Sequence, residues 1–424
     1  MTQAEERKLF AANQAPAIAK QIGITGKASN LGPVSSRFVY FADDTRLLLV
    51  AGEHEEGHAQ VALSIGISLA AHLGKSLTLC LPKRLHRPTL LRSPWLKDSA
   101  RPELWVHDEA AVASQTRQLT REHAIQEMQR KAAKGDVQKD FTESSTALHL
   151  GDSVVSVTDW ATTDPRLDPG HRKGERSWHF RGQRVLSLRR AAKNVHIRAG
   201  IHYSSEEKAP LMVEVSPANP LGAGGLAEVQ RYVEAAIVER LKSRDSKISR
   251  PDEHWLQAVI RRDPELIGIE QPALREFPAW RPADNPKGFS RGFIDLLGLD
   301  GQGKIRIAEA KLAANNDPMF VLQGLDYYIW AQVYRAALGA RLGAAKAAPV
   351  EIHYVIGLQP GAGAGLLSKA APVAEALGDD IPWAVHLLTD WYDRDRASDS
   401  ARGRKIGSQS FPMRQMPAPQ EITS

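Results

Sequence analysis

The sequence predicts a mixed α/β protein, because short continuous apolar runs of the length buried in sheets alternate with longer runs of helical spacing. TRLLLVAG (45–52), VALSIGISLAAHLG (61–74) and SLTLCLP (76–82) read in order as strand, helix and strand. Further along, GFIDLLGLDGQGKIRIAEAK, from Gly292 to Lys311, reads as two apolar strands about an Asp300-Gly301 turn.

A chain of 424 residues is too long for one compact core and predicts two domains, or three. With 42% hydrophobic and 25% charged residues, the composition argues against global disorder. No window approaches the roughly 20 apolar residues of a membrane span. The opening MTQAEERKLF is acidic and polar where a secretion signal is basic and then apolar, so a cytoplasmic protein without membrane attachment is expected. The single cysteine, Cys80, sits inside LTLCLP, which excludes an internal disulfide framework and a multi-cysteine zinc site and predicts a buried strand position.

Strand, helix and strand at this spacing form a βαβ unit, which predicts an N-terminal parallel-sheet domain of Rossmann-like topology. Residues 1–36 are helix-like and then loop-like, ending in SNLGPVSS, and read as an arm or linker. TRQLTREHAIQEMQRKAAKGD (116–136) reads as a charged helix. RVLSLRR, NVHIRAGIHYS and LMVEVSP read as strands, and LAEVQRYVEAAIVERLKSRD (226–245) as a long amphipathic helix. Polar, basic SRDSKISRPD (243–252) marks a boundary. The expected organisation is an α/β region over 37–245, breaking near 165 if it is two subdomains, a second domain over 246–394 and a loose tail over 395–424.

The formal charge of +6 is a modest excess, and its distribution says more. Arg172, Lys173, Arg176, Arg181, Arg184, Arg189 and Arg190 crowd the stretch from Arg166 to Arg198, beside Trp178 and Phe180. Two readings stand side by side, a solvated sheet face and a surface that contacts nucleic-acid phosphates.

The Gly292–Lys311 hairpin carries the chemistry. With its turn centred near Gln302, Asp295 falls opposite Glu309 and Phe293 opposite Lys311, so alternation puts Asp295, Glu309 and Lys311 on one face. Two carboxylates and an ammonium on an apolar hairpin are costly to bury unless something compensates them, such as a divalent cation. Oxygen ligands suit Mg2+ or Mn2+, and a metal held by Asp295 and Glu309 would neutralise phosphodiester charge while Lys311 positions the nucleophile.

In these residues the chain resembles the PD-(D/E)XK superfamily, the restriction endonuclease-like nucleases. The resemblance spans roughly Asp252 to Gln359: a helix-borne acid, Asp295 on the first strand, Glu309-Ala310-Lys311 on the second, and a following helix with Gln323 and Tyr327. It implies an α/β/α C-terminal domain in which Glu253 joins Asp295 and Glu309 at the metal, with Glu265 and Glu270 as lesser candidates, and Gln323 and Tyr327 line the site. The family's motif proline is missing, since Ile294 precedes Asp295. The flanking helices fit on their own terms. Asp317-Pro318 reads as an N-cap and first-turn proline, and Glu253 falls on the stripe of Leu256 and Ile260.

His54-Glu55-Glu56-Gly57-His58 matches the HExxH pattern of zinc peptidases, which works only inside a helix. Here it follows a strand and contains Gly57, so it reads as the loop of the βαβ unit. Gly52, His54 and His58 occupy the strand-end position where α/β sheets bind anionic ligands, and a small nucleotide there is weighed against a plain turn. LGAGGL at Leu221 and PGAGAG at Pro360 lack phosphate-loop context and read as loops.

The expected function is Mg2+- or Mn2+-dependent hydrolysis of phosphodiester bonds, in DNA rather than RNA, with a role in prokaryotic defence or repair implied by resemblance alone. The alternatives are an effector nuclease regulated by a small nucleotide, and a non-catalytic nucleic-acid-binding protein retaining the nuclease fold. Homodimer formation stays open.

Overall fold

The computed structural model describes residues 2–26, 28–30, 37–55, 57–132, 154–172, 175–191, 193–201, 210–241, 251–285, 288–315, 317–359, 365–392 and 406–417. It is a mixed α/β protein with three sheets.

The first sheet runs in chain order: β1 (Ser29–Asn30), β2 (Phe38–Ala42), β3 (Arg46–Ala51), β4 (Ser76–Pro82), β5 (Glu103–His107) and β6 (Ala113–Gln115). The strands β3, β4 and β5 are parallel, and the outer ones join antiparallel. Leu47 to Val50 are fully buried, as continuous apolar strands must be when both faces of a sheet are covered. The crossover helix α3 (Val61–Leu73) ends at Gly74, whose φ of 64° suits a glycine C-cap. Cys80 is buried on β4, and burial pushes its thiol up to about 12.

Residues read as helix-like at the start of the chain are helical, and they pack on the first sheet. The helices α1 (Gln3–Leu9) and α2 (Ala15–Ile22) are joined by a π-helical turn, and Phe10, Ile18 and Ile22 pack with Val39, Phe41, Leu48 and Val50. The side chain and backbone of Thr2 form a capping box with Glu5, so α1 carries its own start signal. Of the loop expected to follow, residues 31–36 lie outside the described residues.

Two short helices follow in the same region, α4 (Arg87–Arg92) and α5 (Arg121–Ala132). The second sheet is antiparallel, ordered β11 (Leu211–Val215), β10 (Asn194–Ala199), β9 (Gln183–Ala191), β8 (Glu175–Phe180) and β7 (Asp168–Arg172). Its apolar residues, among them Trp178, Leu186, Leu188 and Ile197, share a core with α6 (Val155–Thr163) and α7 (Ala223–Leu241). The stretch LGAGGL, read as a loop, supplies the first turn of α7. The helix α8 (Glu253–Arg262) starts at Asp252, whose carboxylate accepts from the Trp255 amide at 2.9 Å. The boundary expected at SRDSKISRPD falls largely on residues 242–250, outside the described residues.

The third sheet is ordered β12 (Leu274–Pro282), β13 (Phe289–Leu299), β14 (Ile305–Leu312), β15 (Val350–Gly357), β16 (Trp383–Thr389) and β17 (Gly407–Ser410). Its first three strands are antiparallel and β14 pairs parallel with β15. The helix expected from Met319 onward is two, α9 (Phe320–Val333) and α10 (Arg335–Leu342), interrupted at Tyr334. Asp317 does not cap it directly: its side chain accepts from the Met319 amide at 2.8 Å, one turn before α9 begins. The last helix among the described residues is α11 (Gly365–Glu375). Part of the expected tail is ordered too, because β17 closes the sheet edge and the Arg414 guanidinium donates to the carbonyls of Gly378 and Ile381. A four-residue edge strand carries no amphipathic period from which to be read.

By contacts the chain divides into two units, one of Met1–Val137, Ile269–His386 and Gln409–Ser424, the other of Gln138–Gly268 and Leu387–Ser408. The first sheet and most of the third therefore fall in one unit and the second sheet in the other, a grouping that differs from the linear partition at 36, 245 and 394. Within the first unit, distant parts of the sequence also meet through side chains: Arg92 on α4 makes a bidentate pair with Asp326 on α9, and the Gln60 amide donates to Asp284 at 3.0 Å. Among the described residues no helix is long and apolar enough to cross a membrane.

Candidate active site

The register of β13 on β14 pairs Leu299 with Ile305, Gly298 with Arg306, Leu297 with Ile307 and Leu296 with Ala308. Continued by one residue, it sets Asp295 opposite Glu309, as the hairpin spacing predicted. At that point the ladder stops and side chains replace it. The Ala310 amide donates to Asp295 Oδ2 at 2.8 Å, and the Phe293 amide donates to Tyr327 Oη at 3.2 Å. The two strands splay, and every backbone group freed by the split needs a new partner.

Within the split, Glu309 is fully buried and Lys311 is 7% exposed, with Lys311 Nζ 3.3 Å from Glu309 Oε1. Parallel pairing places Tyr354 beside Glu309 and Ile356 beside Lys311. Residues that pair in this way share a face. The helix α9 covers that face. Tyr354 donates its hydroxyl to the Val321 carbonyl at 2.9 Å, and a Cβ at Gly324 would come within 2.6 Å of the Tyr354 ring, so glycine allows the close approach. Gln323 and Tyr327, one turn apart on α9, meet through a 3.3 Å bond from Gln323 Nε2 to Tyr327 Oη. Gly292 leaves the room that the hydroxyl occupies, because a Cβ there would lie 2.7 Å from Tyr327 Oη.

Electrostatics ties these groups together. Burial first, then the neighbouring Glu309 carboxylate, pushes the Tyr327 phenol well above its usual range, while Arg281 pulls the other way. Tyr354 is raised in the same manner by burial and Glu309. A phenol so placed stays neutral at any physiological pH and serves as a hydrogen-bonding group, not a base.

The five candidates Asp295, Glu309, Lys311, Gln323 and Tyr327 thus lie in the first unit, on two strands and the helix that covers them. Glu253 does not share that unit: it stands half-buried in the first turn of α8, in the second. Glu265 and Glu270 are exposed. Among the described residues no group of three or more His, Cys, Asp or Glu side chains has the arrangement of a metal site.

Of the basic stretch, three arginines make contacts within the second unit. Arg181 is buried, its guanidinium 4.5 Å from the Trp255 ring centre; Arg184 pairs with Glu175 at 2.8 Å; and Arg176 lies over Trp178. Arg189 and Arg190 are exposed. Arg172 takes part in the β7–β8 ladder, opposite Glu175, and Lys173 lies outside the described residues.

The strand-end loop is filled from within. Glu55 is fully buried and bound by the Arg7 guanidinium of α1, with His54 Nε2 3.4 Å away. Phe10 packs edge-on against His54, and a Cβ at Gly52 would strike the His54 ring. Glu53–Glu55 form a 3-10 turn and α3 begins only at Val61, so His54 and His58 do not share a helix.

Sequence reasoning missed a polar row on the other face of the third sheet. His353 Nδ1 lies 2.7 Å from His386 Nε2, His386 Nδ1 lies 2.7 Å from Ser410 Oγ, and Lys304 donates to Glu351 at 2.8 Å. The bond with His353 and the pairing with Lys304 hold the Glu351 carboxyl down to about 2, and burial pushes His386 down to about 3. Ionised Glu351 only accepts, so His353 Nε2 carries its proton, and the chain of donors then runs from Ser410 through both imidazoles to Glu351. Alternating polar residues inside VEIHYVIG were the available signal, and the run's apolar character hid it.

Compared with known proteins, the chain matches no family model, no curated protein and no solved structure.

Proposed function

We propose that this protein is a metal-dependent nuclease that hydrolyses phosphodiester bonds in DNA, with the third sheet and its helices forming a restriction endonuclease-like domain and the first sheet a Rossmann-like module. The observation that carries the reading is the split between β13 and β14, where Asp295, Glu309 and Lys311 converge under Tyr327.

The donor set fits a hard cation. Mg2+ and Mn2+ sites of this kind use one or two carboxylates, with the remaining ligands drawn from water and substrate phosphate. Asp295 and Glu309 would hold the ion, which when bound would offset phosphate charge and acidify water. Lys311, 3.3 Å from Glu309, would hydrogen-bond the attacking water and a non-bridging phosphate oxygen. The water oxygen bonds to phosphorus and releases a proton to solvent, the ester P–O bond opposite breaks, and the departing alkoxide takes a proton from a solvent water. Tyr327 and Gln323 hold the strands apart so that the phosphate reaches the carboxylates.

A second reading, a nuclease fold retained for binding alone, draws on the same contacts: Asp295 and Lys311 each already engage a protein group. Incubating the purified full chain with linear, circular and single-stranded DNA and with RNA, with and without Mg2+ or Mn2+, separates the two. Metal-stimulated cleavage supports catalysis. Salt-sensitive binding with intact nucleic acid under every condition supports the scaffold.

A further inference from the structure

The pair Arg92–Asp326 is unusual in a protein of this size. Both side chains are fully buried, Nε and Nη2 of Arg92 reach the two carboxylate oxygens of Asp326 at 2.8 and 2.7 Å, and the partners lie 234 positions apart. Burial drives the Asp326 carboxyl up, and Arg92, then Arg281, pull it back. A buried ion pair is weak evidence for stability, because well-packed apolar residues often replace one at little cost. Its fixed bidentate geometry is better suited to setting position.

What it positions is the next residue in the chain. Tyr327 follows Asp326 on α9, and its hydroxyl occupies the split between β13 and β14 in the space left by Gly292. Arg92 ends α4, a helix reached from β4 through a short connection in which Arg84 donates to the carboxylate and carbonyl of Glu53. Helix α4 therefore holds α9 one residue from Tyr327. Tyr354 and Gly324 fix how closely α9 approaches β15, whereas the guanidinium fixes its rotation and its shift along its own axis.

We propose that Arg92 is a positioning residue for the nuclease reaction, holding α9 through Asp326 so that Tyr327 keeps the β13–β14 split open at Asp295. This rests on the nuclease reading above. The closing experiment compares the full-length wild type with the double variant Arg92→Leu/Asp326→Leu and with Arg92→Lys, which keeps the charge and loses the fork. Each is measured for thermal midpoint, for kcat and KM on DNA with Mg2+, and for the 19F resonance of 3-fluorotyrosine placed at position 327. The double variant is expected to melt within a few degrees of the wild type, to keep its KM, to lose roughly ten- to a hundredfold in kcat, as displaced catalytic groups do, and to move the 327 resonance. Arg92→Lys, the arm that decides if the double variant does not fold, should show the same pattern in weaker form. A folded variant with unchanged kcat overturns the proposal. Should the wild type cleave nothing, the nuclease reading fails by itself, and the resonance alone judges the strut: a shift upholds it and an unmoved signal overturns it.

Discussion

Asp295 accepts a hydrogen bond from the backbone amide of Ala310 at the point where β13 and β14 part. One carboxylate thus serves twice, as the cap of an opened ladder and as the proposed metal ligand. The two roles separate by substitution. Asp295→Asn keeps an oxygen for the Ala310 amide and should melt close to the wild type, whereas Asp295→Ala strands that amide and should cost about 1–3 kcal/mol. Both should lose metal-stimulated cleavage. Thermal melts run beside a plasmid-nicking assay check this, and cleavage surviving in the folded Asn variant removes Asp295 from the chemistry.

Gly292 predicts a steric effect. A methyl group there lies 2.7 Å from Tyr327 Oη, so Gly292→Ala should expel the hydroxyl from the split. Tyr327→Phe removes the acceptor of the Phe293 amide and should cost about 1 kcal/mol. The expected result is reduced kcat in both, larger for Gly292→Ala. Equal kcat in wild type and Gly292→Ala would show that the split tolerates a changed width.

Acid should destabilise the protein through the polar row of the third sheet. His386 has a folded value of about 3, below the 6.5 of an unperturbed imidazole, so its contribution is complete above pH 6.5 and fades as pH falls toward 3. Glu351, near 2 against 4.5, adds a loss of the same sign between pH 4.5 and 2. Together they are worth on the order of a few kcal/mol. Chemical unfolding at stepped pH should give a shallower decline from pH 6 to 4 in His386→Gln than in the wild type; parallel curves would assign the decline elsewhere.

Much of the site was legible in the sequence because it rests on local pairing. An Asp300-Gly301 turn fixes the hairpin register, and register fixes which side chains meet, so Asp295 and Glu309 come opposite each other with no tertiary information. Helix α9 was legible for the same reason, although its break at Tyr334 was not. What escaped depends on distant contact. Nothing near Arg92 announces Asp326, and the grouping of the first sheet with the third likewise rests on contacts between segments far apart in sequence. The helical start of the chain was legible, but its packing on the sheet was not, because that burial comes from Val39, Phe41 and Leu48. Charge density alone did not sort the arginines: stacking of Arg181 on Trp255 and of Arg176 on Trp178 comes from tertiary contact, whereas Arg189 and Arg190 are exposed.

Among those arginines the structure separates two kinds. Arg181→Ala should destabilise the fold, on the order of 2 kcal/mol or more, because it empties a buried stack on Trp255. Arg189→Ala and Arg190→Ala, both at exposed positions, should leave the melting temperature unchanged. If they contact phosphates, each lowers the slope of log affinity against log salt by about 0.9. Fluorescence anisotropy with labelled duplex at several salt concentrations reads that slope, and an unaltered slope in both variants takes this face out of the DNA contact.

The most direct test is a single-turnover cleavage assay on linear duplex DNA with Mg2+, comparing the wild type with Glu309→Gln and Lys311→Ala at matched folded concentration. Cleavage by the wild type that needs the metal and drops by a hundredfold or more in each variant, on the order that removing one charge-stabilising group costs, is the predicted outcome. Equal rates in all three proteins, or cleavage indifferent to chelation of the metal, would contradict the assignment of the β13–β14 split as the active site.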